Sequence, residues 1–311
     1  MRNQLSSPVI HSIWPTGSLI PVFSMNYLEN FLAYKARLVH NYKILCCSET
    51  PERPYPLLRD RNGALSIYSV GPEHGRSFVV GRTSNGRYIV SKGNGLSYTQ
   101  YPFLNTREFG KDSWGLLLEP DARRDFAVGR EIEQLGIKTS HMEYVMQLDH
   151  LTNLSDEKEN PIKPVLLQYD IECPYRISDA AIMPRTAIHW EVTKWKRMNR
   201  NGRAEEYLIA ADRLVENLRI LHSDNILHNA IGVQNYTWAL EVLDFELSST
   251  PAYPYSNEDY ERHKVQLFDR EILYTYQIIV YIARVIGQVT DFKEIDKIFM
   301  DNGFDLSSYA I

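Results

Sequence analysis

The chain has 311 residues, 44% of them hydrophobic and 12% aromatic, which is enough for one large domain or for two lobes around sizeable cores. A formal net charge of −5 gives no general attraction to nucleic acid or to an anionic lipid surface. The three cysteines, Cys46, Cys47 and Cys173, have neither the spacing of a disulfide framework nor that of a metal site, which points to a reducing, cytoplasmic setting.

The opening residues carry no apolar core of a signal peptide, and no apolar run is long enough to span a membrane. A secreted effector with a non-classical export signal is the alternative to the cytoplasm. Residues 1–60 read as an N-terminal extension, with a helix over 28–38 and a Pro-rich break at 49–63. Residues 64–92 read as three strands, ALSIYSV, RSFVVG and RYIVSK. The first two are joined by GPEHG and the last two by a tight turn at Asn85-Gly86. The third strand ends in Lys92, followed by Gly93-Asn94-Gly95. A lysine there can reach into a cleft and neutralise phosphates, and the N–H groups of a Gly-rich turn add anion contacts.

Residues 121–135 read as a helix stopped by Gly136, with Asp125, Glu131 and Glu133 as candidate acids to pair with Lys92. A strand follows in KTSHMEYVMQL, then a polar loop at 155–160, then a strand over Val165–Ile171. Arg176, after Cys173-Pro174-Tyr175, is a candidate phosphate clamp. Residues 203–221 form an amphipathic helix: Tyr207, Leu208, Ala211, Leu214, Val215, Leu218 and Leu221 recur at helical spacing. A second apolar helix runs over 264–286, and a short one closes the chain before Gly303.

The first long helix delivers the chain into HSDNILHNAIGVQNYTWALEVLDFE, residues 222–246. His222, Asp224 and Asn229 fit the protein-kinase pattern H-R-D-L-x-x-x-N, and Asp244-Phe245-Glu246 stands where a kinase has D-F-G. Phosphoryl-type transfer needs a carboxylate near the attacking group, with an Asn and an Asp to hold Mg²⁺ against the phosphates. In this reading Asp224 is the catalytic acid or base and Asp244 a metal ligand, with Asn229 as the second.

Several short motifs in the same order resemble the selenoprotein O family, kinase-fold proteins that transfer AMP from ATP to protein hydroxyls. Lys92-Gly93-Asn94-Gly95 is similar to its K-G-x-G, and Arg124-Asp125-Phe126 with Leu135-Gly136-Ile137 and Thr139 to its R-E-F…L-G-I-P-T. Pro174-Tyr175-Arg176 resembles its P-S-x-x-R-F-G, Asp224-Asn225 its T-D-N, and Asp244-Phe245 its D-Y-G. The resemblance implies that Lys92 contacts phosphates, that Asp125 is its helix acid and that Arg176 binds a phosphate. It also implies that Asn225, rather than Asn229, joins Asp244 at the metal. The chain departs from the family at Tyr169, where the family has a further arginine, and at Glu246, where it has glycine.

The expected fold is therefore α+β and kinase-like with two lobes: a small antiparallel N-lobe over 61–170 and a mainly helical C-lobe over 171–311. The expected function is an ATP-dependent transferase using Mg²⁺ or Mn²⁺, moving AMP to a protein hydroxyl. Phosphate transfer to a small molecule or protein hydroxyl is the alternative, and a non-catalytic kinase-like binding module is the third. The partners expected are ATP and the hydroxyl acceptor, with no nucleic acid.

Overall fold

The computed structural model describes residues 42–56, 72–94, 116–148, 161, 163–255 and 258–307. The expected helix at 28–38, the first expected strand, Gly95 and the polar 155–160 loop lie outside them. The fold is α+β: an antiparallel sheet in the first half of the chain and a helical second half.

The strands are β1 (Tyr42–Cys47), β2 (Glu73–His74), β3 (Ser77–Arg82), β4 (Tyr88–Lys92), β5 (Leu117–Leu118), β6 (His141–Leu148) and β7 (Pro164–Ile171). They lie in the order β1-β6-β7-β4-β3-β2, with β5 paired to the start of β7. Two tight hairpins build one side. Gly75-Arg76 joins β2 to β3, with His74 opposite Ser77. Thr83–Arg87 joins β3 to β4, with Gly86 at φ 87° as its turn residue. Residues 42–47 therefore belong to the sheet as its edge strand, rather than to an extension packed on it.

Gly93 is required where β4 ends. Its φ is 98°, and a Cβ there would lie 2.6 Å from the Val165 carbonyl oxygen and 2.8 Å from Leu117 Cβ. The chain turns away at that point, and β5 takes over the pairing along β7.

The helices are α1 (Glu119–Gln134), α2 (Arg185–Trp195), α3 (Glu206–Ser223), α4 (Glu258–Ile286) and α5 (Phe292–Asp301). Pro120 and the first-turn acids Glu119 and Asp121 suit the start of α1, and Gly136 at φ 77° follows its end. α1 packs on β6 and β7. Gly129 lets it approach closely, since a Cβ there would sit 2.5 Å from Met142 Cε and 3.2 Å from Phe245 Cδ2. All seven apolar residues that gave α3 its periodicity are buried, and α3 packs on α4 and α5. Asp291 caps α5, accepting from the N–H groups of Lys293 and Glu294.

One large apolar core runs from the Val79, Val90 and Tyr169 face of the sheet through α1 into α3 and α4. A smaller cluster of Tyr144, Met146, Leu148 and Leu166 lies apart from it. Among the described residues no helix is long and apolar enough to cross a membrane.

Candidate functional site

Lys92, at the end of a central strand, is the hub of the site. Its side chain is 4% exposed, and Nζ lies 2.7 Å from Asp125 Oδ2, 2.6 Å from Asp244 Oδ1 and 3.1 Å from Glu246 Oε1. Burial alone would lower the ammonium pKa, but the carboxylates of Asp125, Asp244 and Glu246 outweigh it and raise the pKa above the ordinary value. Of the three acids the sequence offered on this helix, α1 turns Asp125 to the lysine and buries it to 1% exposure. Its other oxygen accepts the Phe245 N–H at 2.9 Å, so one carboxylate ties the strand lysine to the Asp244-Phe245 turn.

Asp244 adopts φ 71°. Burial pushes its pKa up, but Lys92 and Arg176, with the hydrogen bond from Lys92, hold it well below the usual carboxylate range. Arg176 donates to the Gln234 carbonyl at 2.7 Å and lies 3.5 Å from Asn235 Oδ1. Glu246, in the position of the expected glycine, forms an ion pair with Arg76 from the Gly75-Arg76 hairpin. Gly93 does not offer its N–H to an anion: that group and the Asn94 N–H both donate to the Arg76 carbonyl, at 3.0 and 3.2 Å.

The structure thus brings together Lys92, Asp125, Asp244 and Arg176. It does not bring Asp224 and Asn225 to them. Both are exposed at the end of α3, where their backbone N–H groups close the last turn on Ile220 and His222. No hydrogen bond or ion pair joins either to Lys92, Asp125, Asp244 or Arg176 among the described residues. Asn229 is anchored elsewhere: its N–H donates to Glu271 Oε1 at 2.6 Å and its Nδ2 to the Leu247 carbonyl at 2.8 Å.

The loop that does reach Asp244 lies six residues later. His228 is fully buried, and its Nε2 donates to the carbonyl of Leu243, the residue before Asp244, at 2.8 Å. Its ring lies 5.3 Å from that of Phe245. Asn235 is buried, its Nδ2 donates to the Ala230 carbonyl at 2.9 Å, and its own carbonyl accepts the Leu243 N–H at 2.9 Å. His228, Ala230 and Asn235 repeat the spacing H-x-D-x-x-x-x-N, with alanine in the place of the acid. The sequence carries this signal twice, in overlapping registers, and the copy with an aspartate leaves that aspartate exposed.

A small cavity is bounded by His74, Val79, Val90, Tyr169, Arg176 and Leu243. Its volume of about 10 Å³ has room for a single water, whereas drug-sized ligands occupy pockets of roughly 300–1,000 Å³. Tyr169 is buried in its wall, and His74 Nε2 donates to Asp179 Oδ2 at 2.7 Å across its mouth.

The acids of this site are paired with its own bases. Asp244 and Asn235 are oxygen donors of the kind Mg²⁺ takes. Asp244 Oδ1 is held by Lys92, and Glu246 is held by Arg76 and Lys92. Among the described residues no group of three or more His, Cys, Asp or Glu could hold a metal ion.

No protein-family model and no curated protein matches the chain.

Proposed function

We propose that this chain is a kinase-like, two-lobed module that works by binding a partner rather than by transferring phosphate or AMP. Ala230 carries this reading. It occupies the acid position of the His228–Asn235 register, whose histidine and asparagine both bond Leu243, the residue before Asp244. A methyl group accepts no proton, so a hydroxyl acceptor placed there would lack its base. The kinase-like part of the reading is supported by a lysine at the end of a central strand and an acid on the following helix. A metal-type Asp on the turn after a buried His-Asn loop supports it further.

The reading predicts no label on any protein when the full chain is incubated with Mg²⁺ and ATP labelled at either the α- or the γ-phosphate. Label that disappears in Asp244→Ala would overturn it. α-label would then install AMP transfer, as the resemblance to the selenoprotein O family implies, and γ-label phosphate transfer. The observation favouring those readings is the intact Lys92–Asp125 pair at 2.7 Å with Arg176 beside Asp244, which is the charge arrangement a triphosphate needs.

A further inference from the structure

Three carboxylates meet in the cleft, those of Asp125, Asp244 and Glu246, and three bases meet them: Lys92, Arg76 and Arg176. Each of these carboxylates faces at least one of these bases. In a site built to receive a metal nucleotide, the carboxylates on the turn after the loop would be left for the incoming cation. Here Arg76 comes from the tip of the β2–β3 hairpin and pairs with Glu246. A second bond from its guanidinium reaches the Leu116 carbonyl at 2.9 Å. Its backbone carbonyl accepts the Gly93 and Asn94 N–H groups, the donors a phosphate would use. One residue before Gly75, His74 fastens the hairpin to Asp179 in the helical half at 2.7 Å. The side chain of His74 is 12% exposed and that of Asp179 7%, so this contact is shielded from solvent.

We infer that the hairpin tip is an internal plug. Arg76 takes on Glu246 the place of the cation that a nucleoside triphosphate brings, and His74 bolts the plug to Asp179, so the cleft is shut to metal nucleotide until both are withdrawn. This inference rests on the kinase-like reading of the cleft but not on its lack of catalysis. An arginine suits the role because its planar fork stays charged at every physiological pH and satisfies a carboxylate and a carbonyl together. The plug has a second consequence: every carboxylate of the Lys92 network already faces a base of the protein. The cluster then works as a clasp between the sheet and the Asp244 turn.

The test uses the full chain, with binding read by calorimetric titration and by thermal unfolding in the presence of Mg-ATP or of Mn²⁺ alone. Wild type is expected to show no shift with either probe. The His74→Ala/Arg76→Ala variant is expected to bind Mg-ATP at least about tenfold more tightly than wild type and to gain a matching rise in Tm. Arg76→Lys keeps the charge and is expected to stay nearer to wild type. Circular dichroism confirms that the variants are folded, and if the double variant is not, Arg76→Gln replaces it. The inference is overturned if wild type binds Mg-ATP as tightly as the opened variant, or if the folded variant binds neither probe. Label transfer separates this outcome from failure of the functional reading. Wild type that binds ATP without transferring label removes the plug and leaves the binding module. Transfer by the opened variant alone keeps the plug and removes the binding module.

Discussion

The two faces of the sheet bury acids in opposite ways. On the Lys92 face, the half-buried Asp244 is held ionised, because Lys92 and Arg176 outweigh the desolvation that would protonate it. The buried Glu143 of β6 has no such cation. Its partner is an amide: Gln168 Nε2 donates to Glu143 Oε2, and Gln168 also holds the Arg53 carbonyl and the Tyr55 N–H. Burial pushes the Glu143 carboxyl up from 4.5 to about 7, with Asp170 adding to the rise and the Gln168 hydrogen bond working against it. The same desolvation therefore gives opposite charge states, and the nearby cation decides between them. One face is organised to keep charge. The other joins residues 52–55 to the sheet through a seam that changes protonation near neutral pH.

The sharpest way to break this contrast is to remove the cation. Lys92→Ala leaves the buried Asp125 without its cation and the half-buried Asp244 and Glu246 without their shared partner, and it is expected to destabilise the fold by about 3–5 kcal/mol in urea unfolding. A loss below about 1 kcal/mol, the size of a surface pair, would mean that the cluster is solvated and the contrast false. On the opposite face the acid itself is the liability. The folded pKa of Glu143 lies above its unfolded value, so its contribution is fully present below about pH 4.5 and is lost as pH rises towards about 7. Glu143→Gln should be close to neutral at pH 5 and stabilising by up to about 3 kcal/mol at pH 8. A variant whose pH–stability curve has the wild-type slope between those limits would show that Glu143 stays ionised throughout.

A smaller effect tests how the Lys92 face is assembled. Gly129→Ala inserts a Cβ against Met142 and Phe245, and is expected to cost about 1–3 kcal/mol by forcing α1 away from the Asp244 turn. The Met142 side chain is flexible, so a second substitution, Met142→Ala, should recover part of that loss if the clash is the cause. Absence of any recovery would assign the cost to the helix backbone.

Much of this fold could be read along the chain because its signals are local. The periodicity of Tyr207 to Leu221, the Asn85-Gly86 turn and the lysine ending β4 each need only neighbouring residues, and each stands where expected. Residues 42–47 carry no strand signal of their own, because an edge strand is defined by its partner, β6, about a hundred residues away. Asp125 was one of three acids on its helix, and only the packing of α1 on the sheet singles it out. Arg76, Glu143 and Gln168 give no signal, since a polar residue that finds a partner in the fold looks like any surface residue until its neighbours are known. The loop register is ambiguous for a different reason. His222–Asn229 and His228–Asn235 satisfy the same spacing, and the copy with an aspartate was the more persuasive of the two.

The smallest expected effect bears most directly on that ambiguity. Asp224 and Asn225 are exposed at the end of α3, with backbone bonds only to their own helix. Asp224→Ala should change stability by less than about 0.5 kcal/mol, the range of exposed substitutions, and Asn225→Ala should cost about 1 kcal/mol, because it closes the helix end in the left-handed region. Asn225 has φ 55°, so its alanine variant is the costlier of the two, because asparagine tolerates that conformation better. Neither should alter partner binding. If Asp224 were instead the acid or base of a transferase, Asp224→Ala would abolish label transfer in a protein of unchanged Tm, and that pattern would restore the earlier register. A silent Asp224→Ala beside a destabilised Asn235→Ala, whose buried amide bonds Ala230 and faces Arg176, would fix the loop at His228–Asn235.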